Sequence, residues 1–261
     1  MTIFLVPGIL RRICEYQQGI YQVLLPIQRY FSSVRGLPIL FYRAKSLVII
    51  SRAAQFEAVL SPWLGDSPIF SRLVDNVKGI RGMLAAHCGF VGHLNVLEFL
   101  EARYGLHNVA SNLCELAAAG QRLHVLEFLH HIGYELQLPM GVQTISWTDK
   151  SVFQFSLAHY PALCTTSGTI EHFASIGDGE SLERLLPLLK EDLFREIWNY
   201  AASYGNLELA QKFYAIYMDQ HGQTFEALPA VFSSTTYKHI NNAGSRGFYD
   251  AMLWLYDTWS R

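Results

Sequence analysis

The residues able to do chemistry are plentiful in this 261-residue chain, but their spacing builds no reactive constellation. The histidines are scattered: His87, His93, His107, His124, His130, His131, His159, His172, His221 and His239. His130-His131 is the one adjacent pair, and neither a His-Glu-x-x-His nor a Cys-x-x-Cys accompanies it. Without ligands at such fixed offsets no zinc site is expected. Cys14, Cys88, Cys114 and Cys164 show neither metal-type pairing nor the density of a disulfide framework. Cys88 and Cys114 fall at interior helix positions, where a thiol behaves as a small hydrophobe, so buried reduced thiols are expected. There is no Gly-x-Ser-x-Gly, no P-loop and no dinucleotide fingerprint. Gly177-Asp178-Gly179-Glu180-Ser181 is glycine-rich but follows no strand, and reads as a helix-starting turn capped by Asp178 rather than a phosphate cradle. Catalysis, cofactor and metal are therefore not expected.

The elements that would have to position a site are more legible. In Arg195–Tyr217 a helical run ends on the small residues Ala201 and Ala202, and Gly205 breaks it. A second apolar-periodic run follows, with Leu207, Leu209, Ala210, Phe213, Tyr214 and Tyr217 on one face. Small side chains let the first helix approach its neighbours, and glycine tolerates the positive φ of a tight turn. The same grammar recurs with a turn at Gly92 before HLNVLEFL, Gln121 before RLHVLEFL, Gly177 before DGESLERLL and Gly247 before FYDAMLWLY. The register is near 28 residues, so a further turn is expected near Thr148, before DKSVFQFSLA, and another near Gly65, before DSPIFSRLV. Neither hairpin of such a series buries its apolar surface alone, so neighbours must stack.

The motif Ala-Ala-x-x-Gly-[His/Asp/Asn]-Leu-Glu resembles the core of the ankyrin repeat. Ala201-Ala202-Ser203-Tyr204-Gly205-Asn206-Leu207-Glu208-Leu209 carries it most fully, with Gly92-His93-Leu94-Asn95-Val96 and Ile176-Gly177-Asp178 matching in part. The resemblance covers roughly residues 61–259. It departs from the family pattern in lacking every Thr-Pro-Leu-His opening and in its shorter spacing, against the family's 33 residues. Both departures imply short or missing β-turn fingers between hairpins. The resemblance gives His93, beside its turn, a structural role. In the family the fingers and first-helix surfaces form the binding face. Two intervals, His130–Thr148 and Asp219–Ser234, interrupt the register and are either projecting contact sites or solvated spacers.

Residues 9–31 are expected to form an amphipathic helix from Ile9, Ile13, Tyr16, Ile20, Leu24 and Ile27, with Pro26 a kink or break. Residues 39–60 are helical in composition, although Leu47–Ile50 alone would pass for a strand. Residues 1–56 hold seven basic residues against Glu15 alone, a balance of +6, and the remainder carries −8. The body is thus unsuited to polyanions such as nucleic acid. The basic start would suit pairing with the acidic remainder, a membrane surface, an acidic partner or mitochondrial import. Pro7 and the absence of basic residues ahead of MTIFLVPGIL argue against a signal peptide, and no apolar run approaches the ~20 residues of a spanning helix.

The chain is accordingly expected to be all-α: residues 1–60 a helical cap, and 61–261 a solenoid of six or seven stacked ankyrin-like helix-turn-helix repeats. Its expected work is non-catalytic binding of a partner protein by an intracellular, cytoplasmic monomer without cofactor. An effector directed to a membrane or organelle by its basic N-terminal segment is the alternative, and an enzyme on a helical scaffold the third. Partner contacts are expected at exposed positions of first helices and turns: Arg81, His87, Phe90, Asn112, Trp198, Asn199, Tyr204 and Arg246. The aromatic C-terminal unit, with Phe248, Trp254, Tyr256 and Trp259, either buries its rings or presents some to a partner.

Overall fold

Five of the turns that the repeat register marks end a helix in the same way. Gly92, Gly177, Gly205 and Gly247 have φ between +75° and +103°, and Gln121 takes φ +57° although it is not glycine. The next residue then donates its N–H to the carbonyl five positions back: His93 to Cys88, Arg122 to Ala117, Asp178 to Phe173, Asn206 to Ala201 and Phe248 to Ala243, at 2.8–3.1 Å. This is the Schellman arrangement, which satisfies a carbonyl left over at the helix end. Gln121 lacks glycine's freedom, but its side-chain amide donates to Ala118 O at 2.6 Å and closes the same helix end.

A computed structural model describes residues 16–17, 20–21, 46–64, 67–76, 79–136, 145–221 and 234–260. Among the described residues the chain is all-α apart from one short ladder, and its packing divides it into two units, Met1–Val142 and Gln143–Arg261. The first unit contains α1 (Ser46–Leu60), α2 (Ser67–Asn76), the hairpin α3 (Ile80–Val91) and α4 (Leu94–Tyr104), the short α5 (Leu106–Val109), and the hairpin α6 (Leu113–Ala119) and α7 (Leu123–His131). The second contains α8 (Lys150–His159), the short α9 (Pro161–Cys164), and the hairpins α10 (Ser167–Ile176) with α11 (Gly179–Leu185), α12 (Glu191–Ser203) with α13 (Leu207–His221), and α14 (Ser234–Ser245) with α15 (Tyr249–Ser260).

Within each unit the first helices pack on one another, α3 on α6 and α10 on α12 on α14, while each second helix packs on its own partner. The small residues are where the first helices meet: Ala85, Ala86, Ala117, Ala118, Ala174, Ala201, Ala202 and Ala243 are all buried. The duplicated Val-Leu-Glu-Phe-Leu segment buries the same three positions twice, Val96, Leu97 and Leu100 in α4 and Val125, Leu126 and Leu129 in α7. Each buried aliphatic side chain contributes roughly 1.5–3 kcal/mol of apolar transfer. Hydrogen bonds link consecutive hairpins: Arg122 Nε donates to Phe90 O at 3.2 Å, Asn206 Nδ2 to Ala174 O at 2.6 Å, and Arg246 Nη1 to Ser203 O at 3.2 Å.

Two expectations need correction. Residues 9–31 do not form one helix, because Tyr16–Gln17 pairs antiparallel with Ile20–Tyr21. Tyrosine and isoleucine favour extended backbone, which outweighs their helical spacing here. Near Thr148, α8 begins as expected, capped by the Asp149 carboxylate on Ser151 N at 2.9 Å, but Ile145–Thr148 is not helical. Leu47–Ile50 lies in α1 and is helical. Gly65, the basic residues of the first 45 positions and the centres of both interrupting intervals lie outside the described residues. Among the described residues no helix is long and apolar enough to cross a membrane.

Candidate functional site

Four of the eight residues expected at a partner surface are inside the protein. His87 and Trp198 are fully buried, and Asn112 and Asn199 nearly so. A first helix in the middle of a stack has neighbours on several sides, so positions that a two-helix hairpin would expose become core. Trp198 lies three and four residues before Ala201 and Ala202 and shares their face. Its indole packs against Phe194, Tyr214 and Tyr217, with the Tyr217 ring centroid 5.0 Å away. Its Nε1 is buried and has no hydrogen-bond partner among the described residues. Asn199 accepts from Trp259 Nε1 at 3.3 Å, so one C-terminal aromatic is tied to α12.

The other four stay at the surface, each engaged. The Arg81 guanidinium lies 4.0 Å over the Tyr104 ring, and Arg246 lies 4.1 Å over Tyr204. Tyr204 Oη donates to Glu171 at 2.7 Å across the stack. Burial and that carboxylate push the Tyr204 hydroxyl above its ordinary range. Phe90 is half-buried and gives its carbonyl to Arg122. On α15, Tyr249, Leu253 and Tyr256 are each more than half exposed and recur at i, i+4 and i+7, which forms an apolar stripe along one helix face. Phe248 closes against Gly205, where a methyl group would meet its ring at 2.6 Å.

Two side-chain constellations were invisible in the linear sequence. In the second unit, Ser203 Oγ lies 2.9 Å from His239 Nδ1, and His239 Nε2 lies 3.3 Å from Glu196 Oε2. Serine, histidine and carboxylate in a row invite comparison with a nucleophile and its base. Ser203 and His239 are buried, however, and Ser203 Oγ also lies 2.8 Å from Asn199 O within its own helix. A substrate carbonyl has no access to that oxygen, so the row is a polar staple between α12 and α14.

In the first unit, α1 brings Glu57 against the first hairpin. His87 Nε2 lies 2.7 Å from Glu57 Oε2, and His93 Nε2 lies 2.9 Å from both carboxylate oxygens. His87 comes from the last turn of α3 and His93 from the turn after Gly92, so the Schellman geometry sets both rings toward α1. Phe56 on α1 packs its ring 4.6 Å from the His87 ring, edge to face. Burial pushes the His87 pKa below its ordinary value and outweighs the pull of Glu57. Burial opposes ionisation of Glu57, yet the hydrogen bonds from both rings outweigh it and hold the carboxyl below its usual range. An ionised carboxylate only accepts, so His87 donates through Nε2 and its buried Nδ1 has no hydrogen-bond partner among the described residues. Two imidazole nitrogens and a carboxylate oxygen within 4.8 Å of one another are a possible metal-ligand set. The histidine spacing belongs to no ligand motif, and Glu57 stands thirty residues upstream of His87.

Compared with family models, with curated proteins and with solved structures, the chain finds no match in any of the three.

Proposed function

We propose that the chain is a divergent, shortened ankyrin-like array that binds a partner protein without catalysis. The array reading is supported by five turns of one geometry, at Gly92, Gln121, Gly177, Gly205 and Gly247, and by first helices that stack through alanine. The observation that carries the binding reading is the exposed stripe Tyr249, Leu253 and Tyr256 on α15. Large apolar and aromatic side chains exposed together along one helix face fit a binding surface. The Tyr204–Arg246 stack, at the turns of the two last hairpins, supplies a polar and cationic rim of the kind that surrounds an apolar anchor.

The test is affinity capture with the full chain followed by mass spectrometry, repeated with Tyr249→Ser/Leu253→Ser and with Tyr204→Ala. Both positions of the double variant are solvent-facing, so its circular dichroism and thermal midpoint are expected to match the parent chain. Loss of captured proteins by that variant supports the α15 face. The same proteins captured by a folded double variant reject it, and capture lost only with Tyr204→Ala moves the surface to the turns.

A further inference from the structure

We propose that Glu57, His87 and His93 form a divalent transition-metal site that takes Zn2+, clamping α1 to the α3–α4 hairpin. Two imidazoles with one carboxylate are a donor set that zinc accepts with a fourth position left for water. The donor atoms already converge, at 2.7 and 2.9 Å from nitrogen to carboxylate oxygen. A tetrahedral zinc ion with bonds of about 2.0–2.1 Å holds its ligand atoms about 3.3 Å apart. Each nitrogen–oxygen pair therefore opens by roughly half an ångström to admit the ion, a movement within reach of side-chain rotation. His87 is fully buried, while the side chains of His93 and Glu57 remain 27% and 32% exposed, so the cluster has a rigid inner ligand and a solvent-side entry.

The proton balance is simple. In the metal-free protein each Nε2–H that donates to the carboxylate carries its ring proton there. On binding, Nε2 turns its lone pair to the metal and the ring proton resides on Nδ1. For His87 that atom is buried with no hydrogen-bond partner among the described residues, so the tautomer change exchanges a ring lone pair there for an N–H. The three ligands come from two segments, residue 57 and residues 87–93. Occupancy thus joins α1 to the hairpin with bonds that the two-residue hydrogen bonds only approximate. All three ligands belong to the first unit, whereas the face proposed above to bind a partner belongs to the second.

The experiment titrates chelator-stripped full-length protein with Zn2+ against a chromophoric competitor and repeats it with Co2+, whose visible bands report coordination number. Histidine tautomers are followed by long-range 15N–1H correlation spectra. Expected are one ion per chain, four-coordinate cobalt bands, and transfer of the His87 and His93 ring protons from Nε2 to Nδ1. Glu57→Gln and His93→Gln weaken binding by at least about 100-fold, beyond the usual cost of losing an outer-shell partner. A His130→Gln/His131→Gln control binds as the parent does. Zinc raises the thermal midpoint of the parent chain and leaves that of His93→Gln unmoved. Absence of one-to-one uptake, uptake unchanged in both Glu57→Gln and His93→Gln, or unaltered ring tautomers would overturn the proposal.

Discussion

Replacing Gly120 with alanine tests how closely the first helices approach one another. Gly120 follows α6 with φ −80° and ψ −4°, a conformation any residue adopts, so no backbone strain attends the substitution. The obstacle is the neighbouring hairpin, because a Cβ at this position would lie 1.9 Å from the Phe90 carbonyl oxygen and 2.8 Å from its carbon. Both are backbone atoms and cannot rotate aside. Relief requires α3 and α6 to separate by more than an ångström at this end, which also stretches the Arg122 Nε bond to Phe90 O, now 3.2 Å. Overpacking of a dense interior costs ~1–3 kcal/mol. Loss of the inter-hairpin hydrogen bond adds ~1 kcal/mol. Alanine recovers ~0.4–1 kcal/mol by restricting the unfolded chain. The net expectation is a loss of about 1–3.5 kcal/mol, centred on about 2.3. Gly133→Ala is the control, since Gly133 has φ +70° and nothing within 4 Å of the added methyl, so only left-handed strain of ~1–2 kcal/mol applies. Urea unfolding followed by far-UV circular dichroism measures both, with the slope checked for constancy. If Gly120→Ala proves no more destabilising than Gly133→Ala, the close contact of α3 with α6 is wrong.

Asp178 caps α11 by accepting from Ser181 N at 3.1 Å and Ser181 Oγ at 3.0 Å, with Lys150 Nζ 3.4 Å away. Burial opposes its ionisation, but those bonds and Lys150 outweigh it and hold its pKa below the ordinary value. Its contribution is therefore complete above the unfolded value of ~3.9 and fades as pH falls through the lower folded value. Asp178→Ala should cost ~1 kcal/mol at neutral pH, while Asp178→Asn keeps the cap and flattens the acid limb of a stability–pH profile. Trp198→Ala should destabilise by ~3–5 kcal/mol in calorimetry or urea, so any partner it loses reports unfolding of the second unit rather than a lost contact. Cys88, Cys114 and Cys164 are buried, and burial pushes the Cys164 thiol up to about 12 and Cys88 higher still. A Cys14→Ser chain should accordingly show no thiol reactive toward a disulfide reagent until denaturant is added, and then three.

The turns were legible because one physical need writes them. A helix that must reverse ends in positive φ, and glycine after a pair of small residues is the cheapest solution, so Gly92, Gly177, Gly205 and Gly247 declare themselves. Gln121 was placed correctly by register alone, against its own conformational preference. The duplicated Val-Leu-Glu-Phe-Leu segment likewise announced which side chains are buried, because its spacing is that of one helix face. The N-terminal ladder was missed since Tyr16, Tyr21 and Ile20 satisfy helical and extended patterns alike. The Glu57 cluster was missed for another reason. Its members meet only when α1 folds back on the first hairpin, and nothing in a linear pattern pairs residue 57 with residues 87 and 93.

Polar residues in the first helices carry the sharpest lesson about function. His87, Glu115, Thr169, Asn199, Ser203 and His239 are polar residues buried in first helices, and Asn112 is buried just before one; a two-helix picture sends such residues to the surface. In the stack most of them meet polar groups of the next element instead: His87 meets Glu57, Ser203 meets His239, and Asn199 meets Trp259. A buried polar group that loses its partner costs ~1–3 kcal/mol, so each such pair penalises a wrong neighbour or a slipped register. Alanine faces alone are nearly interchangeable, and a repeat array built only from them would stack in more than one order. The polar pairs differ from hairpin to hairpin and so make each interface distinct. The residues that resemble site chemistry in this sequence therefore serve first to order the stack. In the proposed binding reading, recognition falls to side chains without that duty, such as the exposed Tyr249 and Leu253 on α15.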